Sequence, residues 1–313
     1  MQEALSQADG GRETELVILR TRGDRIQDRP LSEIGDKGVF ASELEQALLD
    51  GQIDLAVHSA KDLPMKLAEG LTIAAVLPRA DVRDVLVVPK GGRTPGFRHD
   101  CGGTCEMTNA DAVDGQRPKA AENSGTIFRV GTGSRRRQLL AGTVWENVVC
   151  EEIRGNVDTR LRKLQEGGYD GIILAKAGLD RLGRQPEWDS AFDFYPLSPE
   201  LFLPAACQGI IAVEALEGTE AVKICEKITD GETALCFAVE REALAQLSAD
   251  CSEAAAAWCR LAPAAQGSGT VCAADKLLLD VMYADRRVGL TGTVNIEEGR
   301  RLARETAQIV KGP

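Results

Sequence analysis

Apolar positions recur at helical spacing in "FASELEQALLDGQIDLAV": Phe40, Leu44, Ala47 and Leu48 share one face, Gly51 stops the run, and a strand is predicted from Ile53. "DTRLRKLQEGGYDGIILA" has the same design, with Leu161 and Leu164 on the helix, Gly167 and Gly168 as the stop, and a strand from Tyr169. Aligning Asp54 with Asp170 also superposes Gly51 on Gly167. Two similarly built α/β lobes with a cleft between them are the expected outcome. "DLAV" itself reads as a parallel core strand, and residues just past the carboxyl end of such a strand are where open α/β sheets build their sites. Lys61 and Asp62 in "DLAVHSAKDLP" are therefore candidates for chemistry.

Between the lobes, residues 89–125 cluster Gly, Pro, Asn and Asp without an apolar period and read as a loop or linker. After residue 228 come a helical "ETALCFAVEREALAQL", a strand-like "KLLLDVMYAD" and a last helix near "IEEGRRLARETAQIV", together a small α/β domain.

Composition narrows the function. A net charge of −11 disfavours general nucleic-acid binding, so any anion site must be local. No stretch approaches the roughly 20 apolar residues that span a bilayer, and "MQEALSQADGGRETE" lacks the basic and apolar regions of a signal peptide, so the expected location is the cytoplasm. Nine scattered cysteines predict reduced thiols rather than a disulfide framework. "HDCGGTC", with His99, Cys101 and Cys105, has no second ligand pair at zinc spacing and reads as an ordinary loop; no metal is expected.

Local cation density is high in two places. "GTGSRRRQLLAG" follows the strand "TIFRV", so a Gly/Ser turn leads into a helix beginning with Arg135, Arg136 and Arg137. No phosphate-loop lysine is present, and guanidinium groups pair bidentately with carboxylates, so a polycarboxylate fits as well as a phosphate. The alternative is a solvated helix face. "EEIRGNVDTRLRKL" places Arg154 and Arg160 around a helix start that Asn156 would cap, and Arg181 follows the strand "GIILA".

These residues carry a resemblance. The ordered set "TRGD…GDKGVFASELEQALL…DLAVHSAKDLP…VGTGSRRRQ…IRGNVDTRL…YDGIILAKAGLDRLG…LPAACQGIIAVE…EREAL…C" resembles the porphobilinogen deaminase (hydroxymethylbilane synthase) family from about Leu16 to the end. The resemblance implies two periplasmic-binding-protein-like α/β lobes plus a small C-terminal α/β domain. Lobe 1 would comprise 1–92 and 203–222, with "LPAACQGIIAVEA" returning to it; 93–125 would be an extended loop, 126–202 lobe 2, and 228–313 the C-terminal domain. The family's opening strand, with its T-R-x-S element, has no counterpart in this sequence, so lobe 1 is expected without it.

The implied activity is a transferase of tetrapyrrole and haem biosynthesis. Four porphobilinogen molecules lose ammonia and join head to tail on a covalently attached dipyrromethane, and hydroxymethylbilane is released by water. Asp62 matches the catalytic aspartate, which steadies positive charge developing near the pyrrole nitrogens, and Lys61 the lysine beside it. Arg136, Arg137, Arg154 and Arg160 match carboxylate-binding arginines, with Thr132, Ser134, Arg181 and Gln208 as further contacts. Lys37 and Phe40 fall in "GDKGVF", the family's mobile loop over the site. Cys251 matches the cysteine that holds dipyrromethane through a thioether, although "ADCSEA" replaces the family's glycine-rich context and Cys259 competes for the role. A monomer acting on a small molecule is implied. A catalytically impaired homologue that only binds anions in the same cleft is the alternative.

Overall fold

The computed structural model describes residues 1–11, 13–19, 42–98, 125–183, 185–248, 253–262 and 276–312. Its helices are α1 (Gln2–Ala8), α2 (Ser42–Leu49), α3 (Arg135–Val144), α4 (Val157–Gln165), α5 (Lys176–Leu182), α6 (Pro186–Ala191), α7 (Glu220–Glu226), α8 (Gly231–Leu247) and α9 (Ile296–Lys311). Its strands are β1 (Ala56–Ser59), β2 (Leu71–Val76), β3 (Asp84–Pro89), β4 (Phe128–Gly131), β5 (Val148–Glu151), β6 (Gly171–Ala175), β7 (Phe192–Pro196), β8 (Ile211–Leu216), β9 (Ala255–Ala262), β10 (Lys276–Tyr283) and β11 (Arg286–Thr293).

The expected correspondence between the two helix–Gly–strand units holds locally. Gly51 and Gly167 both follow a helix with positive φ, +67° and +82°, where a side chain would be strained. Lobe 1 carries a sheet of order β1-β8-β2 among the described residues, and the late strand β8 does return between the two early ones. The expectation of a parallel strand at "DLAV" is corrected, because β1 runs antiparallel to β8. Among the described residues one face of β1 is covered: Ala56 and His58 are buried while Val57 is 49% exposed. Helix α7 packs on this sheet through Ile224 and Cys225, which extends the lobe past residue 222.

Lobe 2 carries a sheet of order β5-β4-β6-β3-β7. Here the sequence-based boundary at residue 92 moves: β3 pairs antiparallel with β6 and β7, so the chain crosses between lobes after Val76 and before Asp84. The run "DVLVVP" is apolar at consecutive positions and suits a strand buried on both faces, as β3 is, lying between β6 and β7. Leu86 and Val88 face the cluster around Phe128 and Trp145, whereas Val85 and Val87 face Leu161 and Leu164 on α4.

The third unit is an antiparallel sheet, β11-β10-β9, packed against α8 and α9. It sits wedged between the lobes. Ala257 and Cys259 join a core that includes Ala60, Leu63 and Ile210 of lobe 1, while Ala256, Trp258 and Met282 join the core of lobe 2. No described helix is long and apolar enough to cross a membrane.

Candidate active site

Strand β1 ends in a single 3-10 turn, Ala60–Asp62, tied to the start of β8 by the Ala60 N–H donating to the Ile210 carbonyl at 3.0 Å. The turn sends Lys61 inward and leaves Asp62 exposed. The Lys61 ammonium lies 3.5 Å from Gln208 Oε1. Burial pushes the Lys61 pKa down to about 8 against an upward pull from Asp62, with Arg137, Asp84 and Arg136 also within electrostatic reach.

Across the cleft, Gly131, Thr132 and Gly133 lead from β4 into α3, whose N-cap is Ser134. The Thr132 hydroxyl accepts from the Ser134 N–H at 3.2 Å, and the Ser134 hydroxyl accepts from the Arg137 N–H at 3.4 Å. Of the three arginines, Arg135 is exposed, whereas Arg136 and Arg137 are buried and converge on Asp84. Arg136 donates from Nη2 to Asp84 Oδ2 at 2.8 Å and from Nη1 to the Leu203 carbonyl at 2.6 Å. Arg137 donates from Nη2 and Nε to Asp84 Oδ1 at 2.7 and 3.2 Å, and from Nη1 to the Ile173 carbonyl at 2.9 Å. Burial alone would raise the Asp84 pKa, but the charges and hydrogen bonds of the two arginines override it and hold the carboxyl far below the usual range.

Asp84 was not among the residues singled out by sequence. Its signal was faint: a carboxylate opening an otherwise apolar strand, in a chain where two adjacent buried arginines require an anion.

Gln208 sits between two left-handed residues, Cys207 at φ +59° and Gly209 at φ +88°. A Cβ at position 209 would lie 2.6 Å from the Ala80 carbonyl oxygen, so only glycine permits this approach. The Gln208 amide is engaged at both ends. Its Nε2 donates to the Val82 carbonyl at 2.8 Å and to Asp84 Oδ1 at 3.0 Å, and its Oε1 faces Lys61.

On α4, Asn156 is the cap that the sequence suggested, accepting from the Thr159 N–H at 2.9 Å. This fixes the turn from which Arg160 projects, half-buried, with its Nε donating to the Gly155 carbonyl at 2.7 Å. Burial and the nearby Arg137 lower the Arg160 pKa while Asp62 pulls it up, which places Arg160 within the field of both. Arg154 is paired with Glu152 at 2.7 Å, and Arg181 donates to the Gly209 carbonyl at 2.6 Å, so both are engaged by protein groups.

Lys61, Asp62, Arg136, Arg137 and Arg160 thus lie within electrostatic reach of one another, and Gln208 bridges Lys61 and Asp84. Lys37, Phe40 and Cys251 lie outside the described residues, as does "HDCGGTC". Cys259, the competitor for cofactor attachment, is buried in β9, and a hydrogen bond with Cys236 together with burial raises its pKa strongly. Such a thiol is a poor nucleophile. Among the described residues no cluster of His, Cys, Asp and Glu is arranged to hold a metal.

Residues 1–224 match the family described as "Porphobilinogen deaminase, dipyromethane cofactor binding domain". The chain belongs to the porphobilinogen deaminase family. The porphobilinogen deaminase of Streptococcus sanguinis (strain SK36) is 41% identical over 78% of this chain and 71% of its own length. That of Paenibacillus macerans is 39% identical over 92% and 79% respectively. That of Acetivibrio thermocellus is 35% identical over 96% of this chain and 88% of its own length, so the similarity reaches into the C-terminal domain. The family description names a dipyrromethane cofactor, and the cleft suits such a group. Lysine and arginine side chains converge there, and a buried carboxylate, Asp84, is set directly between two of them.

Proposed function

We propose that this chain is the transferase that deaminates porphobilinogen and joins four molecules head to tail on covalently bound dipyrromethane, giving hydroxymethylbilane for tetrapyrrole synthesis. The observation that carries the reading is the meeting of Lys61, Arg136, Arg137 and Arg160 near an exposed carboxylate, Asp62. Each porphobilinogen brings two carboxylates, so guanidinium density in one cleft is the expected complement. Lys61 and Arg160 bind these groups directly. Arg136 and Arg137 contribute the N–H groups left over from Asp84 and the Leu203 and Ile173 carbonyls. Dipyrromethane, when bound, would supply the electron-rich pyrrole carbon to which the first ring is joined, each later ring joining the one before it.

Asp62 performs the charge-handling step. Its carboxylate steadies positive charge at the pyrrole nitrogen as ammonia departs, and its oxygens accept the proton that the attacking ring sheds from its α-carbon when that ring regains aromaticity. Thr132 and Ser134 hold the start of α3, while Arg154 and Arg181 border the cleft and meet the growing chain. Lys37 and Phe40 contribute to substrate binding, and Cys251 carries dipyrromethane through its sulfur. The protein works as a monomer in the cytoplasm, without nucleic acid or membrane.

The test is direct. Protein isolated without added ligand should react with 4-dimethylaminobenzaldehyde and show a dipyrromethane mass increment on the peptide containing Cys251. A folded sample with neither colour nor increment would remove the enzyme reading and leave a protein that merely binds anions.

A further inference from the structure

We propose that Asp84 is a positioning residue for the pyrrole-binding site: one buried carboxylate holds the guanidinium groups of Arg136 and Arg137 and, through the amide of Gln208, the amino group of Lys61, before any ligand arrives. The inference rests on the functional reading above and adds to it a residue that touches no ligand.

The geometry is specific. Asp84 is 0% exposed, and both carboxylate oxygens are in use: Oδ2 accepts from Arg136, and Oδ1 accepts from Arg137 and from Gln208. Its own backbone is locked into the lobe 2 sheet, opposite Ala175 in β6, with its carbonyl accepting from the Leu197 N–H at 2.8 Å. Two guanidinium groups on successive residues repel each other, and without an anion between them they would separate. Asp84 removes that repulsion while cancelling only one of the two charges, so a net cation remains for the cleft.

Gln208 extends the arrangement to the other lobe. Two acceptors, the Val82 carbonyl and Asp84 Oδ1, lie at one end of its amide and an ammonium at the other, so only one orientation satisfies all three. The amide that the sequence had suggested for substrate contact is thereby committed to protein groups, and its role becomes the aiming of Lys61. Stability alone is a weak reason to keep such a cluster, because buried ion pairs add little over apolar packing.

The test uses the holoenzyme and two variants, Asp84→Asn and Gln208→Met. Asp84→Asn should raise the KM for porphobilinogen by about tenfold or more with a smaller change in kcat. It should also lower the pH midpoint for reductive methylation of Lys61, read by peptide mass, because a negative charge that favours the ammonium is gone. The charged groups acting on Lys61 are Asp62, Asp84, Arg136 and Arg137, and Asp62 is unchanged in both variants. A variant that is loaded with dipyrromethane, has wild-type KM and shows the wild-type Lys61 midpoint would overturn the proposal. Should Asp84→Asn fail to fold, Gln208→Met decides by the same two readouts: a raised KM and lowered midpoint support the link, and wild-type values overturn it. Lys61 labelling needs no cofactor, so it still tests Asp84 if wild-type protein proves to carry no dipyrromethane, an outcome that would refute the functional reading instead.

Discussion

Replacing Glu240 with alanine should undo the joint between the C-terminal domain and the two lobes. Glu240 lies on α8 with no exposure and accepts hydrogen bonds from Arg79 Nη1 at 2.6 Å, Arg79 Nη2 at 3.2 Å, the Cys259 N–H at 2.7 Å and the Cys207 N–H. Truncation strands the Arg79 cation, whose side chain is 13% exposed, together with two backbone donors. Breaking a buried pair from one side costs about 3–5 kcal/mol, and each orphaned donor about 1–3 kcal/mol. Allowing for overlap, a loss of roughly 5–8 kcal/mol is expected, comparable to the whole stability of many domains at about 5–15 kcal/mol. Urea unfolding followed by tryptophan fluorescence is the assay, since Trp258 sits in β9 beside Cys259 and Trp145 reports on lobe 2. The double variant Arg79→Met/Glu240→Leu removes the charges together, leaving the two backbone donors unpaired and withdrawing the Arg79 donors from the Gln208 and Cys259 carbonyls, but stranding no charge. It should therefore be more stable than Glu240→Ala. A loss under about 2 kcal/mol in the single variant, or a double variant less stable than the single, would refute the reasoning.

Five further outcomes are expected. Asp62→Asn should keep its fold, because the side chain is exposed, and lose about 10²–10³-fold in kcat by a hydroxymethylbilane formation assay; unchanged turnover would exclude the assigned role. The pH profile of kcat/KM should fall on the alkaline side near pH 8: Lys61 has a folded pKa below that of an ordinary lysine, carries its charge below about 8 and loses it above, releasing the substrate carboxylate. From the same shift, unfolded chains bind a proton between about 8 and 10.5 that the folded protein does not, so the Lys61 contribution to stability grows with pH through that window, measurable by urea titration at several pH values. Gly209→Ala forces a Cβ to 2.6 Å from the Ala80 carbonyl oxygen at φ +88°; it should cost about 2 kcal/mol or more in thermal unfolding and lower kcat/KM by displacing Gln208. Asn156→Ala should cost about 1 kcal/mol through loss of the α4 cap, and a change under a few tenths would show that the cap contributes nothing.

Much of this protein is written in short stretches of its sequence. Helix periodicity, the stops at Gly51 and Gly167 and the Asn156 cap depend on neighbours within a few residues, so α2, α4, α8 and α9 are legible in the local pattern alone. The motifs around Asp62, Arg136, Arg137 and Arg160 are likewise contiguous, which is why the family can be read from them. Pairing across the chain is not legible in this way. The apolar run of β3 is compatible with either lobe, and only its docking between β6 and β7 decides which. Nor does local pattern reveal that Asp84 meets arginines 52 and 53 positions away, or that Glu240 meets Arg79 across 161. Burying a charge is tolerable only when its partner arrives with it, and that arrival is set by how the sheets pack. The sequence therefore determined which cations and carboxylates the protein has, and the tertiary structure decided which of them are tied to each other and which face the cleft.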